Sequence, residues 1–597
     1  MSVARKRLRA LRQEMEKAGV DAYLIPSTDP HGSEYVPECW QRRQWVSGFT
    51  GSAGDLLVTT RTAGLWTDGR YFLQAGEQLK GSGIKLFKQG LPATPSIAEW
   101  LAKNLGGGQA LGADPRLLSR GQVEDLRRRL GGAGAALKLL DRNLVDLVWE
   151  DRPPRSPAPI EVLPRQFAGE TVASKLRRVR KEMASARAEA HVLSTLDAIA
   201  WLFNIRSADV DYNPVAIAYA IVTPERALLC TDPDKVSGAA RRSLGSKVEV
   251  LPYDGVAREL AALQKARARV WVDGATTDMW VLQKLRRCEL ITDTSPIALM
   301  KARKNQTEIL GSRAAHLRDG VAMARFFAWL EQAVPEGGVT EVGAAAKLSG
   351  LRAQGEHFRG ESFESIVGYR EHGAIIHYAA DEASDAELEP DGILLVDSGG
   401  QYLDGTTDIT RTVLLGREAT AEQRDRFTRV LKGHVAVARA RFPAGTAGRQ
   451  VDTLARAALW EAGLNYNHGT GHGVGAYLSV HEGPQSISPT RCIGIPLEPG
   501  NILSNEPGFY KEGEFGIRIE NLVLVVEDRE VSDAEETWLG FDELTLCPID
   551  RRLIEPALLT DRERQWLDAY HARVREALAP ELEGDALGWL ERSTAPL

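Results

Sequence analysis

Thiols and long apolar runs are both scarce in this chain. Five cysteines among 597 residues (Cys39, Cys230, Cys288, Cys492 and Cys547) are scattered without a Cys-x-x-Cys pair. That pattern excludes a disulfide framework and a thiolate zinc site, and it fits a reducing compartment. No apolar run approaches the ~20 residues needed to cross a bilayer. Positive charge is not in excess either: the net charge is −7, so neither nucleic acid nor an anionic membrane is expected as a partner. Residues 1–19 carry Val3, Leu8, Leu11 and Met15 among Arg, Lys and Glu. This predicts an amphipathic surface helix, not a secretory segment, and Glu14 and Glu16 count against a transit peptide. A cytoplasmic location is expected.

What the chain does have is concentrated in residues 392–521. Three blocks stand out: ILLVDSGGQYLDGTTDITRT (393–412), NHGTGHGVGAYLSVHEGP (467–484) and LSNEPGFYKEGEFGIRIEN (503–521). They offer Asp397, Asp408, His472, Glu506 and Glu520, four carboxylates and one imidazole, in settings that read as strands and tight turns. Glu506 and Glu520 are 14 residues apart with a turn signal at Lys511–Glu514 between them, so a β-hairpin would make them cross-strand neighbours. Asp397 and Asp408 flank a second turn signal, Asp404-Gly405. Four acids crowded together repel one another, and the cluster implies cations. Hard divalent ions such as Mn²⁺ want oxygen ligands of this kind, and four carboxylates suffice for two ions.

Each residue taken singly has a plainer explanation. An aspartate on a hairpin is most often a solvated turn residue, and His472 alone would pass for a loop histidine. Gly471 and Gly473 around it argue against the helical His-Glu-x-x-His zinc motif, although His468 and His472 are four apart. The plain explanations weaken because all five occur in order, each beside Gly, Pro or a β-branched run.

In that order and spacing the blocks resemble the metal-binding signature of the pita-bread metallopeptidases, which include methionine aminopeptidase, prolidase and aminopeptidase P. The resemblance covers about 240 residues, with none of the five ligand positions substituted. Organisation elsewhere narrows it. Strand–turn–helix order beginning at Asp21 returns after residue 189, with Asp29, Trp45 and Asp68 corresponding to Asp197, Trp201 and Asp232. Two copies of one α/β domain are therefore expected. A proline-rich segment, Arg152 to Pro159, reads as an extended linker. A helix capped by Asn305 with Glu308 follows residue 298, with Leu310, Ala314, Leu317 and Val321 as its buried face.

The expected architecture is α/β (α+β): two creatinase-like N-terminal domains (1–155 and 156–298), a pita-bread catalytic domain (299–541) and a C-terminal extension (542–597). The whole resembles the long, three-domain cytosolic branch of aminopeptidase P. There the extension is associated with dimer contacts, which implies a homodimer. From its residues alone it reads as a packing helix hairpin with Trp566, Leu567, Tyr570 and Val574 inside.

The resemblance also implies residue roles. Asp397, Asp408, His472, Glu506 and Glu520 would hold two divalent ions, Mn²⁺ for choice, with Asp408 and Glu520 bridging. The ions would hold a water between them and lower its pKa, making a hydroxide to attack the peptide carbonyl. Glu506 would also exchange protons. His377, on a predicted strand, and His481 would assist the oxyanion or leaving nitrogen, and His377, His468 and His481 would line the substrate site. Arg518, two residues before Glu520, would point the same way and pair with a carboxylate.

The substrates implied are short peptides with proline second, cut as Xaa-|-Pro-Yaa. Tyr378, Tyr477 and Phe509 are candidate neighbours of the proline ring or simply core, while Tyr402 and Asp404 are candidates for limiting access. Prolidase action on Xaa-Pro dipeptides is the alternative with the same metals. A creatinase-like enzyme and a non-catalytic binding or regulatory protein on the same scaffold are disfavoured by the intact ligand set.

Overall fold

The computed structural model describes residues 2–381, 384–491, 494–533 and 535–597; Cys492 lies outside them. The chain forms two compact units, Met1–Val162 with Glu170–Ile297, and Leu163–Gly169 with Ala298–Leu597. No helix among the described residues is long and apolar enough to cross a membrane.

The first unit contains one sheet built twice. Strands β1 (Ala22–Ile25), β2 (Asp55–Thr59), β3 (Ala63–Thr67), β4 (Lys85–Lys88), β5 (Ala110–Ala113) and β6 (Ala136–Leu139) lie in the order β4-β3-β2-β1-β5-β6. Strands β7 (Ala190–Leu193), β8 (Tyr219–Val222), β9 (Ala227–Cys230), β10 (Val248–Leu251), β11 (Arg269–Val272) and β12 (Glu289–Thr292) repeat it as β10-β9-β8-β7-β11-β12. The directions repeat as well. In each sheet the two hairpin pairings are antiparallel and the other three parallel. The inner strands β1, β3, β5, β7, β8 and β9 are buried along their whole length, as sheets covered on both faces require.

One expected anchor pair agrees with this repetition, since Asp29 and Asp197 each sit four residues past the central strand, counting from Ile25 and Leu193, whereas Trp45 and Trp201 fall 20 and eight residues past it. The N-terminal helix α1 (Val3–Ala18) buries Leu8, Leu11 and Met15 as expected. Val3 stays 59% exposed, because five residues before Leu8 it falls off the +3/+4 stripe.

In the second unit the long helix α2 (Gln306–Glu336) begins with the expected capping box, Asn305 Oδ1 accepting from the Glu308 N–H while Glu308 accepts from Asn305 N–H. Its expected apolar face does not hold. Leu310 is 57% exposed and Ala314, Leu317 and Val321 are only partly covered. The buried face instead carries Glu308, Ser312, Ala315, His316, Asp319 and Met323. Asp319 can take such a position because it is partnered: it accepts from Arg352 Nε at 2.8 Å and from the Tyr402 hydroxyl at 3.0 Å. Periodicity alone cannot foresee partners that come from other elements.

Around α2 are strands β13 (Ile366–Tyr369), β14 (Ile393–Ser398) and β15 (Ile409–Leu414), an antiparallel sheet with β14 in the middle. A second sheet orders the Phe442–Pro443 bridge and five further strands: β16 (Gly471–Gly473), β17 (Glu482–Ile487), β18 (Ile502–Asn505), β21 (Asn521–Glu527) and β22 (Trp538–Glu543). They run 442–443, β22, β21, β18, β16, β17. Between β18 and β21 the chain extends into a separate hairpin, β19 (Gly508–Lys511) with β20 (Phe515–Arg518).

Helix α3 (Ala421–Ala438) and helix α4 (Asp561–Leu578) contribute to one apolar cluster, which holds Phe427, Leu431, Leu567, Tyr570 and Val574. Trp566 is only partly buried, stacked on Tyr570 with ring centroids 5.3 Å apart.

Candidate metal centre

The hairpin expected around Lys511–Glu514 is present, and its register brings the two glutamates face to face. Asn505 is opposite Asn521 at the end of the β18–β21 pairing, and Gly508 is opposite Arg518 at the start of β19–β20. Both pairings share one register, so Glu506 and Glu520 are opposite each other in the gap between them. In that gap their backbones turn to other strands: Glu506 N–H donates to Thr470 O at 2.7 Å and Glu520 N–H to Thr410 O at 3.1 Å. The break frees both side chains to face the same side.

Asp397 and Asp408 come from the β14–β15 hairpin, where Asp397 is opposite Thr410. His472 comes from β16, whose neighbours crowd it closely. A Cβ on Gly471 would fall 1.9 Å from Ser504 O and one on Gly473 2.4 Å from Glu482 O. This is why glycine brackets the histidine.

These elements converge. Ligand atoms of Asp408, His472 and Glu520 all lie within 4.8 Å of one another. His472 Nε2 is 3.4 Å from Asp408 Oδ2 and 3.5 Å from Glu506 Oε1. Its Nδ1 is 3.0 Å from Gly473 O, and as Nδ1–H it donates there, leaving Nε2 to face the carboxylates, where a cation would take the place of its proton. Ser504 Oγ accepts from the His472 N–H at 3.0 Å and donates to Glu506 Oε1 at 3.2 Å. Thr410 Oγ1 donates to Glu520 Oε2 at 2.8 Å. Asp397 is engaged by Arg518, Nη2 to Oδ2 at 2.5 Å, while its buried Oδ1 has no hydrogen-bond partner among the described residues.

The electrostatics fit cations. Burial, reinforced by Asp408, Glu506 and Asp397, pushes Glu520 well above the carboxylate range. Burial raises Glu506 to about 7, with Asp408 and Asp397 adding to the shift and His472 and Arg518 opposing it. Burial also raises Asp397 against the pull of Arg518. Burial works against the His472 cation, yet Asp408 and Glu506 outweigh it and lift the imidazole to about 9. Without cations the cluster must take up protons. An imidazole nitrogen, an unpartnered Oδ1 and three crowded carboxylates are instead the donor set of a divalent ion site.

The remaining expected residues fall around this set. The His481 ring packs edge-on to His472, centroids 4.3 Å apart. His468 Nδ1 is 2.8 Å from Gly469 O and its Nε2 is 2.9 Å from the Tyr510 hydroxyl. Arg518 Nη1 donates to that hydroxyl at 2.7 Å. The phenol proton is therefore directed at His468 Nε2, and one hydrogen-bond chain runs from Asp397 through Arg518 and Tyr510 to His468.

His377 is not on a strand. It lies in a turn after the short 3-10 segment Arg370–Ala374, because Gly373 abuts Gly368 and Gly516 and bends the chain out of the sheet. Tyr378, Tyr477 and Phe509 are all buried in apolar clusters. Tyr402 is buried too, its hydroxyl on Asp319, and Asp404 accepts from Arg318 at 2.5 Å, so neither is an access group. Sequence reasoning missed Tyr510, Ser504 and Thr410. Thr410 had a signal: two residues after Asp408 it shares that aspartate's face of the strand.

Buried carboxylates gathered on strand edges around one histidine define a metallohydrolase type of centre, and the comparisons agree. The chain belongs to metallopeptidase family M24, whose model matches residues 311–527. The creatinase/prolidase N-terminal domain matches twice, at 7–144 and 151–308, and the C-terminal region of the peptidase family at 537–597.

Among individual proteins, the chain is 44% identical over 602 residues to a probable Xaa-Pro aminopeptidase P of Laccaria bicolor, covering 99% of this chain and 93% of that one. It is 42% identical over 612 residues to one of Paracoccidioides lutzii, covering 99% of each. The crystal structure of X-prolyl aminopeptidase from Caenorhabditis elegans, described as a cytosolic enzyme with a di-nuclear active site, superposes with a TM-score of 0.96. It is 37% identical and is covered along 100% of both chains.

Proposed function

We propose that this chain is a metal-dependent Xaa-Pro aminopeptidase that releases the N-terminal residue from short peptides with proline second. The observation that carries the proposal is the convergence of Asp408, His472 and Glu520 within 4.8 Å, with Glu506 beside them. Full-length likeness to proteins named for this activity supports it. Asp397, Asp408, His472, Glu506 and Glu520 would hold two divalent ions. Manganese suits the oxygen-rich donor set. When bound, the ions supply Lewis acidity at the scissile carbonyl and a water acidic enough to ionise near neutral pH.

The chain's own residues do the rest. Glu506, partly buried beside His472 and pushed up to about 7 when no cation is present, takes and returns a proton at a carboxylate oxygen. His481, exposed but packed against His472, donates to the oxyanion as it gains charge, and His377 serves the leaving nitrogen. That nitrogen belongs to a tertiary amide with no N–H, so it must be protonated as the bond breaks. Arg518 neutralises Asp397 from behind and, through Tyr510, fixes His468 with its Nε2 accepting. His468 thus orients the substrate side of the site. The four segments 1–155, 156–298, 299–541 and 542–597 are read as two creatinase-like domains, the catalytic domain and an extension that mediates homodimer contact. A cytoplasmic enzyme fits the reading.

Metal-stripped protein reloaded with Mn²⁺ should release Xaa from Xaa-Pro-Yaa and leave the dipeptide Xaa-Pro intact. Cleavage of the dipeptide alone would make the chain a prolidase. No cleavage of either by metal-loaded protein would refute the peptidase reading.

A further inference from the structure

A second group of buried charges lies next to the candidate centre but outside it. Lys301, Lys304, Glu308 and Glu482 are each 5% exposed or less. Lys301 Nζ is 2.6 Å from Glu482 Oε2, and Lys304 Nζ meets Glu482 Oε1, so one carboxylate is gripped by two ammonium groups. Gln485 Nε2 adds a bond to Oε1 at 3.3 Å. The second negative charge comes from Glu308, whose field acts on Lys304 while it closes the cap on Asn305. Two positive and two negative charges are thus gathered away from water.

The lysine segment is itself tied to the second sheet. Lys304 N–H donates to Gly500 O at 2.9 Å, Asn501 Nδ2 donates to Ala302 O at 3.1 Å, and Gly500 N–H donates to Val525 O at 2.9 Å. Gly500 has φ +93°, and a Cβ there would meet Lys304 O at 2.9 Å.

Stability does not explain such a cluster. Desolvating four charges is costly, and apolar residues of similar volume usually serve as well or better. Its place in the chain points elsewhere. Glu482 is the first residue of β17, opposite Gly473, at a register shift between His472 and Gly473. The residue just before it is His481, whose ring packs on His472.

We propose that Lys301, Lys304 and Glu482 are positioning residues for His481, holding the strand start at the bulge so that the imidazole stands beside His472. The inference rests on the proposed peptidase reading, in which His481 assists the reaction. A buried ion cluster suits the task because its geometry is directional: a slipped register would leave a charge unpaired, whereas apolar packing tolerates small shifts.

The test compares the wild type with Glu482→Gln, which keeps the shape, and with the apolar set Lys301→Met/Lys304→Met/Glu482→Leu. Thermal melting, metal content and Xaa-Pro-Yaa kinetics are measured on each. The apolar set should melt at or above the wild-type temperature and hold as much Mn²⁺. Its kcat should fall 10- to 100-fold, the scale of a misplaced catalytic group, with KM little changed. In a His481→Ala background the same substitutions should cost almost nothing further, since the effect runs through that ring. A crystal structure of the apolar set, or of Glu482→Gln should the set not fold, should show the two rings farther apart than 4.3 Å.

An unchanged ring separation, or an undiminished loss of kcat when His481 is already alanine, would overturn the inference. A wild type inactive on every Xaa-Pro-Yaa peptide would instead refute the peptidase reading, and the ring separation would still decide the positioning claim.

Discussion

The two units treat buried charge in opposite ways. In the first unit, two buried ionisable groups, Asp278 and His191, have no opposite charge bonded to them and are driven toward their neutral forms. Asp278 accepts one hydrogen bond from Val281 N–H at 2.8 Å, and burial raises it to about 8 despite that bond and Arg116. Burial lowers His191 to about 4, its ring held between Trp271 O at 3.0 Å and Ser295 Oγ at 2.9 Å. The second unit gathers four carboxylates around one imidazole and one guanidinium. A lone acid sheds its charge by binding a proton, but a cluster with an imidazole nitrogen in its midst is suited to cations. Burial is common to both units; the number of like charges differs, and that number separates structure from site.

The sharpest way to break this contrast is to remove one charge from the cluster. Asp408→Asn should lower Xaa-Pro-Yaa hydrolysis by about 10³-fold or more, as loss of several kcal/mol of metal-derived stabilisation would. It should also relieve repulsion, so the metal-free variant should melt above metal-free wild type. Added Mn²⁺, which raises the wild-type melting temperature by mass action, should no longer do so. A metal-dependent melting shift that survives the substitution would count against Asp408 as a ligand. Next in size, His481→Ala should lower kcat by about 10²-fold while metal content, read by elemental analysis, is unchanged. That outcome would separate the histidines that act from those that bind.

The first unit offers the reciprocal experiment. Asp278 has its folded pKa raised from 3.8 to about 8, so between those values the unfolded chain releases a proton that the folded chain keeps. Its contribution to stability is full below about 3.8, declines as pH rises and is gone above about 8. Asp278→Asn removes that decline. Urea denaturation should show a flatter pH dependence across the window and a gain of up to about 4 kcal/mol at pH 7. An unaltered slope would mean that the acid is ionised in the fold. The smallest effect expected is that of Asn305→Ala, which removes the cap of α2 and should cost about 1 kcal/mol, seen as a few degrees in the melting of the second unit.

Much of this was legible along the chain because the signals are local. The twofold α/β pattern shows in strand runs bounded by turn residues, and the two six-stranded sheets of the first unit follow it. The Glu506–Glu520 hairpin was readable from a turn midway between two extended runs, and Gly513 has the positive φ of +74° such a turn requires. His377 was misread as a strand residue because Ile375 and Ile376 have strand character, whereas the bend is imposed by Gly373 packing on Gly516. The apolar face of α2 was misread because Asp319 looks solvent-seeking until Arg352 and Tyr402 arrive from elsewhere, while His316 turns back to Ser312 O of its own helix.

Order and spacing along the sequence determined which five side chains could serve as ligands, where the chain turns between them and which strands repeat. Those properties depend on a few neighbouring residues at a time. Only the tertiary structure decided that His472 presents Nε2 to the carboxylates, that Arg518 and Tyr510 join Asp397 to His468, and that Lys301 and Lys304 grip Glu482 from far along the chain. Such contacts exist only after separate strands and loops have packed, those of Lys301 and Lys304 across about 180 residues, because no local pattern records which charge a buried lysine will meet.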